Sequence, residues 1–131
     1  MEEIIRKFIS WAKIKIKIHF SEKIIYFREG EIWWASLGQN VGVEQNGKNI
    51  NFERPILILK KFNEAQFWAL PISSKIKMNK YSYIFGKDEK RFSLSLSQIR
   101  VMDKRRLLRC VGKISSADFD KIKTKIKEII G

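Results

Sequence analysis

The chain has 131 residues, 27 Lys and Arg against 14 Asp and Glu, and a formal net charge of +13. That length suits one domain, and a hydrophobic content of 44% with nine Phe and four Trp excludes wholesale disorder. One Cys excludes an internal disulfide or a multi-cysteine zinc site, and one His excludes a two-histidine catalytic pair.

Ile4, Ile5, Phe8, Ile9 and Ala12 recur at helical spacing, whereas Ile14, Ile16, Ile18 and Phe20 alternate with Lys13, Lys15, Lys17 and His19 as in a strand. A helix from about Glu2 is favoured, since Glu2 and Glu3 suit the positive end of its dipole. Glu31 to Leu37, with Trp33 and Trp34 between Gly30 and Gly38, reads as a buried strand. Gly38 to Glu53 is rich in Gly and Asn and reads as a long polar loop, a feature that in compact domains is usually functional. Pro55 to Leu59 and Phe67 to Ile72 are the next strands, joined by a turn around Asn63.

Tyr81 to Phe85 and Phe92 to Leu96 alternate strictly and predict a hairpin turning through Gly86-Lys87-Asp88-Glu89, with Ser93 and Ser95 on the opposite face. Leu107 to Ile114 is the last strand, and Cys110 within it reads as an inert core thiol. Ser115 and Asp118 form a capping-box start to a terminal helix whose apolar face is Phe119, Ile122, Ile126, Ile129 and Ile130, with Lys121, Lys123, Lys125 and Lys127 solvating the rest. Short strands with one terminal helix predict an α+β protein, a small and strongly curved β-barrel with helical additions. No long uncharged apolar run suggests a transmembrane helix and no cleavable leader is read, so a soluble, cytoplasmic protein is expected.

The charge is uneven. Residues 75–113 hold 12 basic and 3 acidic side chains, a net +9, interleaved with Tyr81, Tyr83, Phe85 and Phe92. Basic residues among aromatics suit a nucleic-acid backbone and its bases. An anionic membrane surface is the weaker alternative, and a merely solvated lysine-rich surface the plain one.

Three segments go further. They are Gly30-Glu31-Ile32-Trp33-Trp34 followed by Val41-Gly42-Val43-Glu44-Gln45-Asn46-Gly47-Lys48; Arg54-Pro55-Ile56-Leu57-Ile58-Leu59 followed by Pro71-Ile72-Ser73-Ser74; and Leu96-Ser97-Gln98-Ile99-Arg100-Val101-Met102-Asp103-Lys104-Arg105-Arg106-Leu107. In this order and spacing they resemble the MazF/PemK family of toxins from bacterial type II toxin–antitoxin systems. The resemblance covers about Phe27 to Ile130. It leaves residues 1–26 as an N-terminal extension and residues 27–131 as the toxin-like domain.

The resemblance implies a homodimeric SH3-like barrel of the MazF/CcdB type. It implies an endoribonuclease that cuts single-stranded RNA at short motifs without metal or other cofactor, neutralised by a cognate antitoxin. It casts Arg54 as the arginine at the scissile phosphate, Ser73 in place of the family's catalytic threonine, and Glu44 as the loop carboxylate that acts as base or orders the loop. Gln45, Lys48, Lys75, Lys77 and Gln98 are the candidate RNA-binding residues. Pro55 biases Arg54 towards an extended backbone, and a guanidinium can grip two phosphate oxygens at once. Ser97 stands where several relatives carry a carboxylate, so no acid–base role is expected there. Arg100 and Asp103 are expected to bridge structural elements, and His19 is expected to be structural. Two alternatives stay open: an interaction toxin like the gyrase-poisoning CcdB branch, and a nucleic-acid-binding module that has lost catalysis.

Overall fold

The computed structural model describes residues 1–131. Its elements are helix α1 (Glu2–His19), strands β1 (Glu31–Ser36), β2 (Glu53–Lys61), β3 (Gln66–Ser73), β4 (Ser82–Lys87), β5 (Lys90–Ser95), β6 (Arg100–Asp103) and β7 (Leu107–Lys113), and helix α2 (Ser116–Ile130). The seven strands form one curled antiparallel sheet in the order β4-β5-β3-β2-β1-β7, with β6 also on β3. The result is a half-barrel with a helix at each end of the chain. β3 is its pivot: its first half, Gln66 to Ala69, pairs with β6, and its end, Ile72 and Ser73, pairs with β5.

The period-two alternation of the strands divides the core in two. On one face Ile32, Leu57, Leu59, Leu70 and Ile72 meet Ile122 and Ile126 of α2. On the other, Trp33, Ala35, Ile56, Ile58, Phe67 and Ala69 pack with Phe27, Leu37, Met102 and Leu107. Both faces of the central strands are therefore covered, which is why β1 and β2 read as continuous apolar runs.

The local signals behave as their chemistry requires. Asn63 Oδ1 accepts from the amides of Ala65 and Gln66, closing the β2–β3 turn. Ser115 Oγ accepts from the Asp118 amide at 3.1 Å and caps α2. Tyr83 Oη donates to Asp118 Oδ1 at 2.6 Å and ties β4 to the start of α2. Burial first, then the hydrogen bond and the negative charge of Asp118, push the Tyr83 phenol up to about 12.

Several expectations need correction. The β4–β5 turn is tighter than four residues: Lys87 pairs with Lys90, and only Asp88 and Glu89 turn, both at positive φ (51° and 64°). Such a two-residue turn matches the twist of its strands. Ser93 does face away from the apolar side of β5, but it is buried, and its hydroxyl finds no hydrogen-bond partner. Cys110 is exposed and not a core thiol, because β7 is an outer strand whose pairing with β1 shifts register twice. In α2 the apolar face ends at Ile126; Ile129 and Ile130 are exposed. Lys125 is not wholly solvated, since its Nζ donates to the Ser82 carbonyl at 3.3 Å. β6 falls within the third motif, where the sequence pattern predicts no strand. No helix is long and apolar enough to cross a membrane.

Candidate active site

The loop 37–52 is braced by its own polar groups. The amides of Leu37 and Gly38 both donate to the Phe52 carbonyl (2.8 and 3.1 Å), and the Gly47 amide donates to the Gly38 carbonyl (2.8 Å). Lys48 and Glu53 exchange two backbone hydrogen bonds at 2.8 Å. Asn40 spans the loop: its amide donates to Asn46 Oδ1, and its Nδ2 donates to the carbonyls of Gln45 and Leu37. Gly47 lies so close to the Phe52 carbonyl that a Cβ would collide with backbone, so the position demands glycine.

The rest of the molecule grips this loop from outside. Gln98 Oε1 accepts from the Gln45 amide (2.8 Å) and Gln98 Nε2 donates to the Val43 carbonyl (2.9 Å). Arg100 and Arg106 both donate to the Leu37 carbonyl, at 3.3 and 3.4 Å, and Arg106 also donates to that of Ser36. Burial holds the Arg100 guanidinium below its ordinary range, opposed by the charge of Glu44. Burial and the neighbouring charge of Arg100 bring Arg106 down to about 10, opposed by Asp103. Arg100 thus bridges β6 to the loop base, as expected. Asp103 acts locally, holding the amide and guanidinium of Arg105.

Arg54 stands on β2 where the loop ends, opposite Ala35. Its Nε donates to the Asn46 carbonyl at 2.8 Å and its Nη1 to the Ile72 carbonyl at 3.3 Å. Half-burial lowers its proton affinity from the ordinary value. The β2–β3 register pairs Ile56 with Pro71, so two residues further along Arg54 comes level with Ser73. Ser73 Oγ accepts from the Lys75 amide at 3.1 Å, which leaves its O–H to donate elsewhere. Arg54 opens onto a cleft of about 340 Å³ lined also by Glu44, Gln45, Asn46, Lys48 and Lys7. Glu44, whose Oε1 accepts from the Val41 amide at 3.0 Å, is the one carboxylate there.

The structure therefore brings Arg54, Glu44, Gln45 and Lys48 to one cleft, with Ser73 on the neighbouring strand. Gln98 lies next door, in a second cleft of about 550 Å³ shared with Asn40, Glu44, Gln45, Ser97 and Arg100. There its amide is already engaged in holding the loop. Lys75 follows Ser73 in an exposed connection, whereas Lys77 lines a separate hollow with Tyr83 and Lys125. His19 ends α1, where its carbonyl accepts from Arg105 at 2.6 Å. The sequence reading missed Asn40 and Asn46, whose signal was available: asparagine side chains readily imitate backbone groups in Gly-rich turns. It also missed Lys7, a helix-surface lysine like any other until the helix is placed.

This arrangement can do one kind of chemistry well. A half-buried guanidinium, a carboxylate and unpaired ammonium groups around an open cleft, with a donor hydroxyl on the neighbouring strand, favour a phosphate at the centre. The sequence model for PemK-like, MazF-like toxins of the type II toxin–antitoxin system matches residues 28–130, and the chain belongs to that family. Its fold is similar to an endoribonuclease from a mycobacterial species in complex with its cognate antitoxin (TM-score 0.64, 16% identity, 81% of this chain and 96% of that one). It is also similar to MazF from Deinococcus radiodurans (TM-score 0.63, 17% identity, 82% and 99% coverage) and to a second mycobacterial endoribonuclease structure (0.61, 17%, 84% and 96%). No curated protein matches the sequence.

Proposed function

We propose that this MazF-like toxin is an endoribonuclease that cuts single-stranded RNA by internal transesterification, without metal or other cofactor. The ribose 2′-oxygen bonds to the adjacent phosphorus while the bond to the 5′-oxygen of the next nucleotide breaks. The products are a 2′,3′-cyclic phosphate and a 5′-hydroxyl. Glu44 takes the 2′-hydroxyl proton, the departing 5′-oxygen takes a proton from water to leave as a hydroxyl, Arg54 stabilises the charge gathering on the phosphorane oxygens, and Ser73 donates a hydrogen bond to the same centre. A guanidinium surrenders its proton poorly, so charge stabilisation is the larger part of what Arg54 does. Gln45 reads a base edge, Lys48 and Lys75 hold phosphates, and Gln98 keeps the loop that carries Glu44 and Gln45 in place. Lys77 contributes only at the far rim.

The observation that carries this reading is Arg54: it is held by the Asn46 and Ile72 carbonyls at the mouth of a cleft shared with Glu44, within the family-matched span. The protein works in the cytoplasm as a homodimer and is silenced by an antitoxin, the last of these supported by its toxin–antitoxin family and by the antitoxin-bound mycobacterial relative. Residues 27–131 are the toxin domain and residues 1–26 an extension to it.

The test is incubation of purified protein with a long RNA in EDTA. Discrete cuts whose downstream fragments accept a kinase label without prior phosphatase treatment are expected, because their 5′ ends are hydroxyls. Binding without cuts would make the chain an RNA-binding module, and neither would leave the interaction-toxin reading.

A further inference from the structure

Helix α1 lies outside the family-matched span, yet it is docked on the loop that carries the candidate site. Trp11 is its one buried side chain. The indole rests on Gly38, at one end of the loop, so closely that a Cβ there would overlap the ring. It also packs on Phe52 at the other end, with ring centroids 5.7 Å apart. Arg106 covers the indole at 5.6 Å, and Arg105 holds the carbonyl of His19 at the end of the helix.

Lys7 is one helical turn before Trp11 and so shares its face. That places Lys7 in the wall of the Arg54 cleft and of an adjoining hollow of about 230 Å³ lined by Gln39, Gly47, Lys48 and Phe52. The Arg54 cleft then holds three cationic side chains, Lys7, Lys48 and Arg54, against one carboxylate, Glu44. Neither lysine forms an ion pair within the chain. Several unpaired cations around one cleft suit a phosphodiester strand, whose phosphates they neutralise.

We propose that Lys7 is a substrate-binding residue, holding an RNA phosphate next to the one gripped by Arg54, so that the N-terminal helix forms one bank of the RNA groove. The inference rests on the reading of the Arg54 cleft as an RNA site. As a point charge on a flexible stem, Lys7 adds affinity and strand position and leaves base choice to the loop.

The experiment measures anisotropy of a short fluorescein-labelled 2′-O-methyl RNA of random sequence, which cannot undergo 2′-hydroxyl attack, across a salt series. The full-length chain is compared with Lys7→Ala, Lys7→Glu and Lys17→Glu; Lys17 is exposed in the last turn of α1 and changes net charge equally. Lys7→Ala should flatten the dependence of log affinity on log salt by about 0.7, the value for one phosphate on a single strand. Lys7→Glu should weaken binding about tenfold and Lys17→Glu by less than about twofold, because the latter charge is screened at distance. Equal losses from Lys7→Glu and Lys17→Glu would overturn the inference, even if the protein cuts RNA. Lys7-dependent binding by a protein that makes no cuts would uphold it and overturn the proposed chemistry. Absence of binding to any RNA would overturn both.

Discussion

Arg54 Nε donates to the carbonyl of Asn46 at 2.8 Å, so the arginine at the centre of the candidate site also fastens the loop beside it. The aim of the guanidinium and the path of the loop are thus one geometric variable. The second carbonyl, that of Ile72, joins the same side chain to the strand that ends in Ser73.

Ser73 and Ser93 face each other across β3 and β5, and they should behave oppositely. Ser73→Ala should cripple cleavage with the fold intact, and Ser73→Thr should keep or raise activity by stiffening the hydroxyl. Ser93→Ala should leave cleavage unchanged. It should leave stability unchanged or raise it by about 1 kcal/mol, because a buried hydroxyl without a partner costs desolvation for nothing. Single-turnover rates and thermal melts of the three variants check this; an active Ser73→Ala would remove the hydroxyl from the mechanism.

The contact between Trp11 and Gly38 predicts strong coupling between helix and loop. Trp11→Ala should cost about 3 kcal/mol and accelerate amide exchange in both α1 and residues 38–52. Gly38→Ala should destabilise through its φ of +94° and through overlap with the indole. The double variant should cost less than the sum, since only the φ penalty remains once the indole is gone. Additive losses in denaturant melts would show that the two positions act independently.

Tyr83 predicts a late step in an alkaline titration. Tyr83 should form tyrosinate near pH 12, and Tyr83→Phe should remove that step from the ultraviolet absorbance. The sign follows from the neutral form being the one the fold prefers. The stabilisation is complete below the ordinary phenol value of 10.0 and is lost as pH rises through about 12. A fold whose alkaline unfolding in that window is unaffected by Tyr83→Phe would contradict the Asp118 tie.

Much of the strand layout could be read in the chain because covered strands announce themselves: Glu31 to Leu37 and Pro55 to Leu59 are apolar on both sides. β6 could not, because in Arg100-Val101-Met102-Asp103 only Met102 is buried. Cys110 misled because an apolar strand reads as core, whereas position at the sheet's edge is decided by tertiary order. At the site, Arg54, Glu44 and Gln45 came from local motifs. The contacts that position them did not: Gln98 reaches Gln45 across 53 residues, and Trp11 reaches Gly38 from a helix that the motif omits. Such distant pairings leave no periodic trace in a single sequence.

Stabilisation of a phosphorane by Arg54 is tested by single-turnover cleavage by Arg54→Lys in EDTA, paired with its RNA affinity. Lysine keeps the charge but loses the planar donor pair. The rate should fall by about 10²-fold or more while affinity changes little, as when one transition-state donor is removed. An unchanged rate, or a loss accounted for by weaker binding alone, would contradict the account.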